Sequence, residues 1–392
     1  MKKVILQPSK EKSLQRKHPW LFSGAIAKKD NDLQEGDIVE VYTSIGDFLA
    51  VGFWQNETIA LKVLSFEKED INQDFFIRKI NQAIIYRQSL NLFDNKENTI
   101  FRLINAEGDG LCGLIADWYE ANIVLQFHSL GMYKNKDFII QALLTLLPNI
   151  KTIFSKSSST LGKGNYGAKD EFLYKNSEKD HFIAIENSCR FLIDYKHGQK
   201  TGFFIYQAPS RKLLSEISKD KKILNCFSYT GGFSVAALKG GANSVDSVDI
   251  SKKASEICLQ NISLNNFTNK HKMVVGDVLW YLDQIPKNEY DMIILDPPAF
   301  AKHNKDKQKA LKGYRTINRK AMQKIKEGGF IFTFSCSQAI SSDDFFTMLF
   351  SCALLSKRNV KIIRRLPHNF DHPQNIFHPE GEYLKGALLY VE

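Results

Sequence analysis

From about residue 190 onward, short apolar runs alternate with amphipathic stretches, and this rhythm constrains the fold more than any other feature of the chain. KKILNCFS precedes GGFSVAALKGG, SVDSVDIS precedes KKASEICLQNISLNN, and KMVVGDV precedes LWYLDQI. YDMIILDPPAF precedes a basic helical stretch, and GGFIFTFSCS precedes SSDDFFTMLFSCALLS. Strands this short, joined through helices, form parallel crossovers. The expected class is therefore α/β, with a doubly wound, mostly parallel, Rossmann-like sheet. Ligands of such sheets bind at the carboxyl ends of the strands.

The preceding part reads differently, and 392 residues exceed one ordinary core. GDIVEVYTS, GDFLAVGFW and IALKVLSF alternate between turn signals and suggest a small β-barrel over 1–72. DFFIRKINQAIIYRQSL carries apolar residues near helical period. Strand-like FRLINAEG, GLCGLIADW and NIVLQFHS follow, then a helical KDFIIQALLTLL stopped by Pro148. Residues 155–170, rich in Ser, Gly and Lys, read as a mobile loop or a long hairpin tip. The expected divisions are 1–72, a central α/β part over 73–188, and 189–392.

The strand ends carry the chemistry. The first ends in Phe227-Ser228-Tyr229-Thr230-Gly231-Gly232, a glycine turn opening a helix; it is not G-x-G-x-x-G and alone defines little. The second ends at Asp249, placed to accept from ribose hydroxyls, and the third at Gly276-Asp277. The fourth ends in Asp296-Pro297-Pro298-Ala299-Phe300, a carboxylate and carbonyls beside an aromatic face, which suits an extruded, amino-bearing base. The fifth ends in Ser335-Cys336-Ser337. Taken singly, each acid reads as a helix cap or surface residue. The ordered set points to an S-adenosylmethionine (SAM)-dependent methyltransferase.

The chain resembles the bacterial large-subunit rRNA cytosine-C5 methyltransferases with an N-terminal PUA domain, nearly end to end. KHPWLFSGAI at 17–26, RLINAEGDGLCGLIADWY at 102–119, GQKTGFFIYQ at 198–207 and NCFSYTGGFS at 225–234 carry the likeness, with LDPPAFAK at 295–302, SCS at 335–337 and EGEYLKGALL at 380–389. The resemblance implies a PUA barrel, a central strand–strand–helix–strand–strand domain and a Rossmann-like catalytic domain. It implies cofactor contacts from Lys200, Thr201, Gly202, Phe203, Gln207, Phe227, Ser228, Gly231, Gly232, Asp249, Ser251, Gly276 and Asp277. Where the family usually has Asp-Gln-Arg, this chain has Tyr206-Gln207-Ala208, leaving Arg211 as the candidate substitute for the missing charge.

Cytosine C5 is a poor nucleophile. Thiolate addition at C6 makes an enamine whose C5 can accept a methyl group, and loss of the C5 proton then expels the thiolate. Cys336 is the expected nucleophile, although a small cysteine closing a strand also reads as core. Asp296 is expected to hold the N3/N4 edge, with Pro297 and Pro298 shaping the turn and Phe300 stacking on the base.

Net charge is +10. Residues 1–29 hold eight Lys/Arg against Glu11, and residues 301–326 ten against Asp306, as phosphate-neutralising surfaces do. Lys302, Lys305, Lys312, Tyr314 and Arg315 are expected RNA contacts, with Lys17 and Trp20 in the barrel, where Trp20 reads equally as core. Six scattered cysteines without C-x-x-C spacing argue for a reducing cytoplasm and against a disulfide framework or zinc. His368, Asp371, His372, His378 and Glu380 are separated by prolines, so no metal is expected. No apolar run is long enough to span a bilayer, and the N-terminus lacks a signal-peptide core. The expected partner is large-subunit rRNA, and a homodimer is compatible with this reading. Two rivals remain: a methyltransferase acting on a base nitrogen, since the Asp-Pro-Pro-aromatic turn also serves that chemistry, and an RNA-binding assembly factor with a vestigial catalytic domain.

Overall fold

The computed structural model describes residues 1–161, 167–175, 181–301 and 304–392. The chain packs as two compact units, 1–184 with 193–203 and 370–381, and 185–192 with 204–369 and 382–392.

In the first unit, β1 (Lys2–Leu6), helix α1 (Lys12–Gln15), β2 (Trp20–Phe22), β3 (Ile26–Lys29), β4 (Ile38–Tyr42), β5 (Phe48–Trp54) and β6 (Ile59–Ser65) come first. The six strands form one sheet ordered β2-β6-β5-β4-β1-β3. Alternation points Val4, Leu6, Val39, Val41 and Leu61 inward, all fully buried. Helix α2 (Gln73–Ser89) starts where the Asn72 side chain accepts from the Phe75 amide at 3.1 Å. After it come β7 (Ile100–Asn105), β8 (Leu114–Tyr119), β9 (Asn122–Phe127), α3 (Leu130–Lys134), α4 (Lys136–Leu146), β10 (Thr152–Lys156) and β11 (Asp170–Lys175). These strands form a second sheet, β11-β10-β9-β8-β7. Strands β10 and β11 pair antiparallel, so the Ser/Gly/Lys-rich stretch joins a hairpin; 162–166 lie outside the described residues.

Two arginines of this unit, Arg87 buried and Arg102 half-buried, are paired. Arg87 makes a two-bond pair with Asp109 at 2.6 and 2.9 Å, and Arg102 pairs with Asp117 at 2.8 and 3.0 Å. The segment 370–381 docks on the same network: Asp371 accepts from the Arg102 amide at 2.8 Å, and its carbonyl accepts from Arg87 at 2.7 Å.

A two-stranded ribbon, β12 (Phe182–Glu186) and β13 (Cys189–Ile193), precedes the second unit's main sheet. The chain then runs α5 (Ala208–Ile217), β14 (Lys222–Cys226), α6 (Gly232–Lys239), β15 (Ser244–Asp249), α7 (Lys252–Leu264), β16 (His271–Val275), α8 (Val278–Gln284) and β17 (Met292–Leu295). It closes with α9 (Lys307–Lys324), β18 (Gly329–Ser335), α10 (Ser342–Ser356), β19 (Val360–Arg365) and β20 (Lys385–Val391). The order is β16-β15-β14-β17-β18-β20-β19, and it reverses direction at β14. Strands β14 to β18 are parallel, as the alternation predicts, whereas β20 inserts antiparallel between β18 and β19. The reason is local: no crossover helix lies between β19 and β20, so the chain must turn back. Arg211 of α5 is committed to Glu186 through two bonds of 2.5 and 2.6 Å, both side chains buried. Among the described residues, no helix is long and apolar enough to cross a membrane.

Candidate active site

At the end of β14 the backbone turns sharply, with Phe227 at φ +58°, Tyr229 at +48° and Gly231 at +82°. Gly231 has a second reason to be glycine: a Cβ there would stand 2.5 Å from Cys258 Sγ. Gly232 opens α6. Ser228 is buried, and its Oγ has no hydrogen-bond partner within the protein, a polar atom prepared for a ligand. Asp249 braces the turn from β15: its oxygens accept from the Tyr229 and Ser251 amides, each at 2.8 Å. Ser251 caps α7 and Asp277 caps α8, accepting from the Trp280 amide at 2.8 Å. The Asp249 carbonyl also accepts from the Gly276 amide at 3.0 Å, tying the β15 and β16 ends together. Ile250, directly after Asp249, is 74% exposed. An apolar side chain displayed at the ligand edge suits the face of a planar ring.

Strands β17 and β18 are parallel neighbours, with Leu295 opposite Thr333. Asp296 and Cys336 therefore emerge at one edge, and Cys336 Sγ lies 3.9 Å from the Pro297 carbonyl oxygen. Cys336 is half-buried, whereas the other five cysteines are buried. Asp296 Oδ1 accepts from Gln207 Nε2 at 2.8 Å. Burial pushes the Asp296 carboxyl up to about 6, against the lowering effects of the Gln207 bond and the Arg211 charge. Tyr206 is buried beside these groups; burial first, then the Asp296 and Cys336 charges, raise its hydroxyl well above the usual range, so it stays protonated.

The Cys336 turn is held from behind. Ser337 Oγ accepts from the Ala301 amide at 3.3 Å and shares a 2.9 Å bond with Tyr314 OH, while the Ser337 carbonyl accepts from Lys385 Nζ at 2.8 Å. Phe300 sits 4.7 Å from the Tyr314 ring, centroid to centroid. Pro297 is buried and Pro298 exposed.

Several expectations change here. Tyr314, an expected RNA contact, is fully buried. It shares the inward face of α9 with Ala310, Ile317 and Ala321 at helical spacing, so the helix turns it away from solvent. Lys305, Lys312 and Arg315 are exposed, and Lys302 lies outside the described residues. Lys17 is exposed, but Trp20 is half-buried, its Nε1 donating to Glu107 at 3.0 Å and its ring 4.3 Å from His378. Lys200, Thr201, Gly202 and Phe203 belong to the first unit. The Thr201 hydroxyl is taken up by Asp117, at 2.5 Å, and Tyr119, at 2.9 Å. Arg211 is occupied by Glu186 and does not offer a free charge in place of the missing family residues. Asp371 and His372 pair with each other at 2.6 Å, and His368 accepts from the Leu384 amide at 3.2 Å. Among the described residues, no group of three His, Cys, Asp or Glu side chains is placed to hold a metal.

Two residues at this edge, Tyr206 and Lys385, receive no role from the sequence. A lone lysine opening the apolar run KGALLYV is a usable signal for Lys385. Tyr206 carries none, because its burial depends on the strands packed around it.

A parallel sheet with its order reversed at β14, a ligand-ready glycine turn and bracing acids together define a nucleoside-cofactor enzyme. Residues 4–66 match the PUA-like domain family, and residues 114–374 match the S-adenosylmethionine-dependent methyltransferase family. The chain is similar to the ribosomal RNA large subunit methyltransferase I of Alteromonas mediterranea, 36% identical across 99% of this chain and 98% of that one. Its counterpart of the same name from Aliivibrio fischeri is also 36% identical, over 99% of both chains. A solved structure described as a methyltransferase in complex with SAH shares the fold across 100% of both chains, with a TM-score of 0.86 and 24% identity. The chain belongs to the S-adenosylmethionine-dependent methyltransferases with a PUA-like domain, in the family of ribosomal RNA large subunit methyltransferase I. Its cofactor is SAM. The orphaned Ser228 hydroxyl and the Asp249 carboxylate fit that group.

Proposed function

We propose that the protein forms 5-methylcytosine in large-subunit rRNA in the cytoplasm, through a covalent adduct between Cys336 and cytosine C6. The observation that carries this reading is Cys336 itself, half-buried beside the Asp296-Pro297 turn while the other five cysteines are buried. The names of the relatives supply the rRNA substrate. In this reading the divisions 1–72, 73–188 and 189–392 serve RNA docking, linkage and catalysis.

Cys336 adds to C6 as the thiolate, and Asp296 faces the N3/N4 edge. A cytosine edge offers an acceptor at N3 and a donor at N4, and a protonated carboxyl offers the matching donor and acceptor. Asp296, poised near 6, can give a proton to N3 as negative charge develops on the ring. Phe300 and Pro298 present apolar surface to the extruded base. SAM, when bound by the Phe227–Gly232 turn and Asp249, supplies an electrophilic methyl group. Loss of the C5 proton then restores the double bond and releases Cys336.

Transfer of labelled methyl to rRNA from a strain lacking the gene, followed by nucleoside analysis, tests the reading. The expected product is 5-methylcytosine; an N-methylated base would transfer the Asp296-Pro297-Pro298 turn to the rival chemistry.

Two smaller effects are expected. Gly231→Ala places a Cβ at positive φ and against Cys258 Sγ, and should weaken SAM binding and stability by about 1–3 kcal/mol, read by calorimetry and thermal melting. Charge reversal at Lys305, Lys312 and Arg315 should reduce the salt slope of RNA binding by roughly 0.7–0.9 for each phosphate these side chains no longer neutralise. An unchanged slope would exclude that face of α9 from the RNA interface.

A further inference from the structure

We propose that Lys385 is the cation that activates Cys336: its ammonium, anchored on the Ser337 and Tyr383 carbonyls, stabilises the thiolate one residue away. This inference rests on the reading of Cys336 as nucleophile.

The placement follows from sheet register. Strand β20 pairs antiparallel with β18, with Lys385 opposite Ser335, so the lysine starts its strand where the strand leading to Cys336 ends. Its residue is 5% exposed, and Nζ donates to Ser337 O at 2.8 Å and Tyr383 O at 2.6 Å. Both anchors are neutral, so they orient the ammonium without cancelling its charge. A buried lysine with neutral partners is costly unless an anion stands nearby. The Cys336 thiolate is such an anion.

Among the described residues, the other charged and titratable groups around the thiol do not supply this cation. The Cys336 charge acts on Tyr206 and Tyr314, and both stay protonated because burial raises them; Asp296, at the same sheet edge, is an acid and supplies no cation. Arg211 is bound to Glu186. Glu382 and Asp344 act on Lys385 at longer range, and Asp344 is paired with Lys307 at 2.7 Å. Burial pulls Lys385 down to about 8, and the Cys336 charge acts in the opposite direction. The amine therefore keeps its proton through neutral pH, where the thiol must lose its own to solvent. Cation and thiolate stabilise each other.

The test is the rate of alkylation of Cys336 by iodoacetamide as a function of pH, followed by peptide mass mapping on the full-length protein. The S–C bond forms only from the thiolate, and iodide leaves. The wild-type profile should have its midpoint below the ~8.5 of a free cysteine. Lys385→Met should move the midpoint up by about one unit and slow labelling at pH 7 about tenfold, and Lys385→Arg should keep most of the wild-type rate. An unchanged profile in Lys385→Met overturns the inference, as does an Arg variant that behaves like Met. If the Met variant does not fold, the wild-type profile decides alone, and a midpoint at or above the free-cysteine value sinks the idea. Methyl transfer by Cys336→Ala is read separately: full activity there removes the nucleophile reading while the labelling result still reports on Lys385.

Discussion

Cys336→Ala is expected to reduce methyl transfer to RNA by at least about a thousandfold while leaving SAM affinity unchanged. Without the adduct, C5 of cytosine has no enamine to push electrons onto a methyl group, and among the described residues no other group at this sheet edge can replace a sulfur nucleophile. The remaining cysteines cannot substitute. Burial pushes the Cys189 and Cys352 thiols up to about 11 and Cys258 to about 12, and raises Cys226 and Cys112 as well. Cofactor affinity should survive because Cys336 follows β18, whereas the glycine turn follows β14, with β17 between them. Calorimetric titration with SAM and a labelled-methyl assay separate the two properties. RNA carrying 5-fluorocytosine should trap wild type as a denaturant-stable complex, since fluorine cannot leave as the C5 proton does, and should not trap the variant. Retained turnover in Cys336→Ala would favour methylation of a base nitrogen instead.

Asp296→Asn is expected to lower kcat by roughly 10²–10⁴ with little change in KM, the range typical of a lost proton donor. Asparagine can still present a donor and an acceptor to the cytosine edge, so the base is held, but it has no proton to give N3. The pH dependence carries a sign. Asp296 titrates near 6, above the ordinary aspartate value of 3.8, so the folded protein binds this proton more tightly than the unfolded chain does. Stability is therefore lost as pH rises from about 4 through 6, and the asparagine variant should not show that loss. Thermal melting across this range checks the stability effect, because it needs neither RNA nor cofactor. In activity, the descending alkaline limb belonging to Asp296 should vanish in the variant, while the ascending limb belonging to the thiol stays. A variant with the wild-type kcat would remove Asp296 from proton transfer and leave it a positioning role.

The βα rhythm of 222–356 is readable because each strand and each helix carries its own period, and because parallel crossovers are the only short solution for that order. The strand ends can be located for the same reason, and Asp249, Asp277, Asp296 and Cys336 all fall there. Tyr314 misleads because it sits in a basic helix whose composition says surface, while its helical phase says interior. Charge runs describe a helix's average environment and cannot say which side one residue occupies. The antiparallel β19 and β20 escape a sequence reading because VKIIRR is an exposed edge with little alternation, and the connection to KGALLYV contains no α-helix to announce a reversal.

Local order along the chain is thus enough to establish the sheet, its ligand edge and the residue types that arrive there. Long-range pairing decides what those residues meet. Gln207 reaches Asp296 from 89 residues away, Lys385 reaches the Ser337 carbonyl across 48, and Glu186 occupies Arg211. Such contacts leave no periodic trace, because they depend on which strands become neighbours and on how deeply each side chain is buried. The raised pKa of Asp296 and the partial exposure of Cys336 have the same origin: both are properties of the packed environment, not of the residue type.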